Sequence, residues 1–239
     1  MLASDILTRV QRIVLDETSV RWPLAELLLW LNDGQREIAL QKPSSFSSNR
    51  VISLVAGTYQ AIPDDAITLL RVIRNIRSNV GGVRLGGSAI TMVARSILDT
   101  QNRNWHDSTK VRQKKEVQHV AFDEADTRSF YVYPGNDGTG LLEMVFSIEP
   151  AEINITEGAD ADDIASYDLP LSMQEIYANA LTDYVSYRAY SKDADFAGNA
   201  QRAAMHYQQF ANSLGIKVNQ EMLNSPNMAA GIKATGPGA

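Results

Sequence analysis

The chain has 239 residues, of which 44% are hydrophobic, and this suffices for one large domain or for a domain with a sizeable insertion. A net charge of −6 and a pI near 5.1 argue against a protein that grips nucleic acid over its whole surface and leave room only for a local basic patch. The absence of cysteine excludes disulfides, thiolate metal ligands and a cysteine nucleophile, and it suits a reducing cytoplasm.

No membrane or secretion segment is predicted. No apolar run approaches the roughly 20 residues that are needed to span a bilayer. The first five residues, MLASD, lack the basic region and the uninterrupted apolar segment of a secretion signal. We therefore expect a soluble protein that is made in a cytoplasm.

Two amphipathic helices are predicted in residues 1–49. Residues 3–15 repeat apolar side chains at helical spacing, which predicts the first helix. Pro23 opens the second helix, where its missing amide hydrogen costs nothing. Pro43 ends it, because a proline inside a helix removes a hydrogen bond and clashes with the preceding turn.

The middle of the chain, residues 50–150, predicts a β-rich insertion. Residues 51–62 predict a hairpin in which Gly57 supplies the turn. Residues 67–76 fit a strand or a helix, and residues 88–100 carry a weak helical pattern. Three further runs of β-formers are separated by strong turn signals and predict an antiparallel meander. These runs are residues 117–122, 128–133 and 141–148.

Residues 169–215 predict two helices joined by a short turn, and the second helix is expected to run from about Asp193 to Leu214. Apolar side chains recur at i, i+3, i+4 and i+7 spacing, and Gly215 is placed to end the second helix. The short link favours an antiparallel helical hairpin. An acidic linker, residues 151–168, precedes this hairpin. The fold class is therefore α+β, a helical bundle from the N- and C-terminal helices with an antiparallel β-rich insertion and an extended C-terminal tail.

The extended tail, residues 216–239, is rich in Asn, Ala, Gly and Pro. Its few apolar residues are too sparse to form a core of their own, but they suit anchors in separate pockets of a neighbour. The candidate partner-binding anchors are Met222, Leu223, Met228 and Ile232.

Three patterns suggest enzymatic or metal chemistry and none is complete. The glycines of residues 81–88 resemble a phosphate-binding loop, but the required lysine is absent, which favours a loop without a nucleotide. The acidic linker does not follow the calcium-loop pattern, and the three histidines lack a metal-ligand spacing. No Gly-x-Ser-x-Gly elbow occurs. We assign no catalytic residue, no cofactor and no metal ligand. The residues weighed are Asp160, Asp162, Asp163, His106, His119 and His206, and His206 is expected at the surface or in an interface.

Two groups of cations suggest binding. Arg71, Arg74 and Arg77 recur every three residues, and a second cluster follows Trp105. Cations beside an aromatic ring can contact the phosphates and bases of a nucleic acid. The negative net charge of this protein favours contact with another protein instead. Trp105, Lys114 and Lys115 are therefore candidate partner-binding residues. The second cluster comprises Lys110, Arg112, Lys114 and Lys115.

Two stretches resemble a known family. The run from Ala178 to Ala204, ANALTDYVSYRAYSKDADFAGNAQRAA, resembles the C-terminal helical pair of head-to-tail adaptor (connector) proteins of tailed bacteriophages, including the tail tubular protein A type. The phrase from Leu54 to Pro63, LVAGTYQAIP, resembles the β-insert of the same family.

This resemblance implies a structural virion protein at the neck of a short-tailed phage, made in the host cytoplasm. It implies a homo-oligomeric ring of twelve copies that joins the portal protein to the tail nozzle or tail tube protein. Double-stranded DNA would pass through the ring during genome ejection without sequence-specific binding, and no membrane is involved. A negatively charged channel wall would let the genome slide, because tight phosphate contacts would hold it.

Two alternatives belong to other classes. A tail-associated metal-dependent hydrolase would use Asp160, Asp162 or Asp163 to hold its metal. A DNA-binding module would use the arginines from Arg71 to Arg77 and would show steeply salt-dependent DNA retention.

Overall fold

A computed structural model shows the chain as two compact units. The helical unit comprises residues 1–42 and 150–239, and the β-unit comprises residues 43–149. The structure describes residues 1–123, 125–196 and 198–224, with the helical backbone alone for residues 216–224. The α+β composition is confirmed, since the described residues form five α-helices and two four-stranded sheets. In chain order the elements are α1 (Ala3–Val14), α2 (Leu24–Gln41), β1 (Ser47–Ser53), β2 (Ala56–Ala61), β3 (Ala66–Val80), β4 (Val83–Ala89), β5 (Thr91–Met92), α3 (Arg95–Gln101), β6 (His119–Asp123), β7 (Asp126–Asp137), β8 (Leu141–Ile148), α4 (Ala178–Lys192) and α5 (Asn199–Asn224).

Helix α4 is the element on which the helical unit is assembled. Helices α1 and α2 from the start of the chain pack against it, and α5 packs against it as well. The indole N–H of Trp22 donates to the carbonyl of Ala189 at 3.1 Å, and the hydroxyl of Tyr190 donates to the carbonyl of Ile13 at 3.2 Å. The bundle as a whole stays a prediction, while these contacts join the two ends of the chain.

A glycine sets the close approach of α2 to α4. A Cβ atom at Gly34 would lie 2.9 Å from Cδ1 of Tyr184, which is closer than carbon atoms approach without a shift. The Tyr184 ring therefore packs directly on the backbone of α2. The cost of about 1 kcal/mol for glycine inside a helix is offset by the ring contact that it permits.

Helices α4 and α5 run antiparallel, as the short link predicts. Three ring contacts connect them, with residue numbers that rise along α4 and fall along α5. The ring centroids are 5.2 Å apart for Tyr184 and Phe210, 5.0 Å for Tyr187 and Tyr207, and 5.7 Å for Tyr190 and His206.

The predicted bounds of the second helix are wrong at both ends. Helix α5 begins at Asn199, later than the predicted Asp193, because the Asn199 amide donates to the carboxylate of Asp193 at 3.0 Å and closes a turn there. The helix also passes through Gly215, which was predicted to end it, and reaches Asn224. A glycine lowers helix stability by only about 1 kcal/mol, so it ends a helix only where the following backbone turns away.

The β-unit is a pair of sheets that bury their facing sides in one core. One sheet has the strand order β1-β8-β3-β4 and the other has the order β2-β7-β6-β5, with all pairings antiparallel except β5 with β6. Side chains from both sheets meet between them, and those with no exposed surface are Val120, Phe130, Val132, Leu142, Met144 and Phe146.

The predicted hairpin of residues 51–62 is wrong, because β1 and β2 belong to different sheets. Buried Leu54 anchors the crossing between them in the core. The side chain of Gln60 replaces the missing hairpin bonds: its Oε1 accepts from the Val55 amide, and its Nε2 donates to the Val55 carbonyl, both at 2.8 Å. A buried glutamine thus satisfies the backbone where the chain changes sheets.

The predicted meander is correct only for β6 and β7, which pair antiparallel. Strand β8 leaves that sheet and pairs with β1 and β3. The ambiguous residues 67–76 lie in β3, and the weak helical pattern of residues 88–100 shrinks to α3 after β5. Local alternation predicts strands well but carries no information on which strand is the neighbour.

We expect Asn32→Ala to destabilise the helical unit by about 2–3 kcal/mol. The buried Asn32 side chain donates to the Ile153 carbonyl at 2.9 Å and accepts from the Ile153 amide at 3.0 Å, so its loss leaves both groups without a partner. Thermal unfolding measures the effect. The matched control is Asn154→Ala at an exposed position, and equal melting temperatures for the two variants would contradict this assignment.

Candidate partner-binding site

The second cation cluster lies on a firmly held segment of the β-unit, which we call the basic segment (residues 110–115). The side chains of Lys110, Arg112, Lys114 and Lys115 are exposed. The fully buried Asn136 holds this backbone, since its Nδ2 donates to the carbonyls of Lys114 at 3.0 Å and Lys115 at 2.8 Å. The backbone of the segment is held in place while its side chains point outward. The cations therefore form a positive edge with a fixed backbone.

The other bonds of Asn136 tie the basic segment to the connection between β7 and β8. Its Oδ1 accepts from the amides of Gly138 at 2.8 Å and Gly140 at 3.1 Å. Gly140 has to be glycine for this geometry, because a Cβ there would lie 2.2 Å from Nδ2 of Asn136. One asparagine thereby makes four hydrogen bonds, which is the full capacity of its amide group.

A second buried asparagine holds the end of the same stretch. Asn75 on β3 donates to the Val117 carbonyl at 2.8 Å and accepts from the Val117 amide at 2.9 Å, as a neighbouring strand would. Sequence reasoning missed Asn75 and Asn136, since neither lies in a pattern that separates it from surface asparagines. Both are positioning residues for the basic segment.

Trp105 does not lie on the surface, so its prediction as a partner-binding residue is corrected. Its ring is 1% exposed, packs edge-on against Tyr131 and Tyr133, and donates its N–H to Asp99 at 2.8 Å. The buried indole thus forms a small core with Tyr131 and Tyr133, and this core holds the loop that contains Trp105. The partner-binding prediction for Lys114 and Lys115 stays a prediction.

His106 lies beside this indole, with ring centroids 3.7 Å apart. Its Nδ1 is 2.7 Å from the hydroxyl of Thr58. Partial burial, and then the positive charge of Arg95, hold the pKa of His106 below its usual range, which favours the neutral ring.

The arginine run divides between structure and surface. Arg74 donates its Nε–H to Glu143 at 2.7 Å, and Arg84 donates to the same carboxylate at 2.9 Å. Hydrogen bonds from Arg74, then Arg84 and Asn49, hold the pKa of the buried Glu143 below its usual range. Arg74 therefore has a structural role as the partner of Glu143. Of the predicted run, Arg71 and Arg77 stay exposed.

The glycines of residues 81–88 form a tight turn and a strand, where the sequence predicted one loop. Gly81 and Gly82 have φ of +60° and +80°, as the central residues of a two-residue hairpin turn require. Gly86 and Gly87 lie in β4. A Cβ at Gly86 would lie 2.5 Å from Nη1 of Arg74, so this glycine lets the arginine pass.

The acidic linker uses its carboxylates to stabilise turns. Asp160 accepts from the Asp162 amide at 2.9 Å, and Asp163 accepts from the Ala165 amide at 3.0 Å at the start of a 3₁₀ turn. Clefts of about 340 and 430 Å³ lie between α1 and this part of the linker. Across the described residues, no three His, Asp or Glu side chains converge in a way that could hold a metal ion.

His206 is buried, where the sequence predicted a surface or interface position. Its Nδ1 lies 2.9 Å from Oδ1 of Asp183, and its ring stacks on Tyr190. The pair joins α5 to α4. His119 has its own partner in the hydroxyl of Thr91 at 2.5 Å.

The tail anchors fall partly outside the described residues. Met222 and Leu223 lie in the last turns of α5, where the backbone is helical. Met228 and Ile232 lie outside the described residues, and so does most of the predicted extended tail. The helical part of residues 216–224 corrects the prediction of an extended chain from residue 216.

Sequence comparison identifies the family. The family model described as SU10 adaptor protein matches residues 1–230, which is nearly the whole chain. The chain belongs to the SU10 adaptor protein family. No curated protein matches it.

Membership of this family confirms the resemblance to phage adaptors, which the sequence of the C-terminal helical pair and of the β-insert indicated. The adaptor is a structural component of the virion and interacts with other virion components. Within the part of the chain that the structure describes, no helix is long and apolar enough to cross a bilayer.

We expect Glu143→Gln to lower the stability of the adaptor at pH 7 by about 1–3 kcal/mol, because two arginines lose their buried charged partner. The depressed pKa of Glu143 makes its contribution complete above the unfolded-state pKa, and the contribution is lost as pH falls through the folded-state pKa.

Thermal unfolding from pH 7 to pH 3 measures this difference. The gap between wild type and variant should close below about pH 4. Asp64→Asn is the control, since this carboxylate is exposed. A gap that stays constant down to pH 3 would show that Glu143 acts through shape rather than charge.

Proposed function

We propose that the adaptor forms a closed ring, of twelve copies, that joins the portal protein to the tail nozzle or tail tube protein and surrounds a channel for the genome. The observation that carries this proposal is the match of residues 1–230 to an adaptor family. A ring between two different partners requires two binding faces on each copy in addition to the faces between copies.

The surfaces of the described residues support separate contacts. The basic segment offers a rigid row of cations in the β-unit, held by Asn75 and Asn136. The acidic linker offers exposed carboxylates in the helical unit. Lys114 and Lys115 bind an acidic surface of a virion protein, because opposite charges on two surfaces steer and orient their association.

The overall charge suits passage of DNA. With a net charge of −6, the adaptor repels phosphate at long range. Tight cation contacts would release counterions and retain the genome. Double-stranded DNA is therefore a passenger in the channel and makes no sequence-specific contact.

We expect the isolated adaptor to sediment as a monomer or a weak oligomer and to form a ring when the portal protein is added. A template lowers the entropic cost of assembly, and it avoids rings that have no head attached. Analytical ultracentrifugation of the adaptor, the portal and their mixture measures this. A stable two-fold dimer, both alone and with portal, would contradict the proposal.

The tail supplies anchors for docking. We expect alanine at Met222, Leu223, Met228 and Ile232 together to weaken binding to portal or to a neighbouring copy, while thermal unfolding changes little. Separate apolar anchors contribute affinity by entering pockets of the partner.

The control for the tail variant is Met205→Ala, a half-exposed methionine on the same helix, α5. Surface-immobilised portal with adaptor in solution gives the affinity of each variant. Equal binding by the fourfold variant, the control and the wild type would show that the tail has no docking role.

A further inference from the structure

The β3–β4 hairpin extends beyond the sheet to which it belongs. The last pairing of β3 with β8 joins Ile76 to Leu141. Beyond that point β3 pairs only with β4, up to the turn at Gly81 and Gly82. We call the two-stranded part, residues 77–86, the β-arm.

The β-arm has one apolar face and one polar face. Opposite residues of an antiparallel pair share a face, and the faces alternate along each strand. Val80 pairs with Val83, and the next pair on the same face joins Leu85 to the small residue Ser78. The exposed fractions of Val80, Val83 and Leu85 are 74%, 74% and 58%. Single exposed apolar side chains are common, but a contiguous apolar face on a fixed arm indicates an interaction site.

The polar face fixes the orientation of the arm. The pair between the two apolar ones joins Asn79 to Arg84. The guanidinium of Arg84 donates to Glu143 at 2.9 Å and to the Asn49 carbonyl at 3.2 Å. These bonds place Arg84 on the same face of the sheet as Glu143, so the apolar side chains of the arm lie on the opposite face.

The charge of the arm indicates what it docks on. From residue 66 to residue 98 the chain contains no acidic residue, and the arm itself carries two arginines, Arg77 at 3.5 Å from Glu116 and Arg84 at 2.9 Å from Glu143. The helical unit holds ten Lys and Arg and seventeen Asp and Glu, whereas the β-unit holds twelve and eleven. The net charge of −6 therefore divides into −7 on the helical unit and +1 on the β-unit.

We propose that the apolar face of the β-arm, formed by Val80, Val83 and Leu85, docks on the helical unit of a neighbouring copy of this chain. The inference rests on the proposed ring and names the surface that joins its copies. A positive arm on one unit and a negative surface on the other make a heterologous contact, which closes into a ring when the rotation between copies allows it.

Cross-linking from the arm tests the contact directly. The chain has no cysteine, so Val83→Cys carries a benzophenone maleimide at one position only. An equal mixture of unlabelled and ¹⁵N-labelled adaptor is assembled on portal and irradiated, and the linked peptides are identified by mass spectrometry. Links with mixed isotopes then come only from two different copies.

We expect mixed-isotope links from residue 83 to peptides of residues 1–42 or 150–224. Links to the β-unit alone, to the same copy alone or to portal would overturn the inference and leave the ring standing. Failure of the wild-type adaptor to assemble with portal would overturn the ring and this contact together. Val55→Cys, an exposed valine of the same unit, is the control for random capture.

A second variant keeps the arm folded while removing its apolar character. Val80→Thr with Val83→Thr preserves shape and strand propensity and should weaken association between copies by about tenfold or more. Thermal unfolding should match that of the wild type. Val55→Thr should assemble normally. Wild-type assembly by the double variant would show that copies meet through another surface.

Discussion

The helical unit depends on one packing interaction, the contact of α4 with two helices from the other end of the chain. Trp22 and Tyr190 each donate a hydrogen bond to a backbone carbonyl across this contact. Gly34 gives the Tyr184 ring access to the backbone of α2. Because about a hundred residues of β-unit intervene, the contact closes a long loop, at an entropic cost that grows only with the logarithm of loop length. A large insertion is therefore compatible with a stable helical unit.

Buried amide side chains play the corresponding part in the β-unit. Gln60 completes the backbone where the chain changes sheets, Asn75 takes the place of a neighbouring strand, and Asn136 fixes the basic segment. Each provides hydrogen-bond partners for backbone groups that no neighbouring strand satisfies at that point. The same fixation gives the exposed lysines a defined position. Asn136 thus serves both the stability of the β-unit and the proposed binding by the basic segment, and a substitution there would alter both.

The sequence predicted those features that have a local cause. Apolar periodicity located α1, α2 and α4, and β-forming runs located β6, β7 and β8. Strand partners were missed because they depend on distant residues. The bounds of α5 were missed because a turn between Asp193 and Asn199 delays its start and Gly215 does not end it. Arg74 is paired with Glu143, which lies far from it in the sequence. The position of the Arg74 side chain in turn leaves no room for a Cβ at Gly86. The family was recognised from residue runs and is confirmed by the match, whereas the β-arm became visible only once the pairing register placed three apolar residues on one face.

The adaptor role requires a chain that holds its shape while presenting several different faces. Two compact units with unequal charge, a fixed basic segment and a protruding arm meet that requirement. The most direct measurement is a cryo-electron microscopy reconstruction of the intact phage particle at the head–tail junction. The account predicts a closed ring of this chain on the particle axis, between portal and tail, with a continuous channel. Density for this chain away from that axis, or a partial ring that does not close, would contradict it.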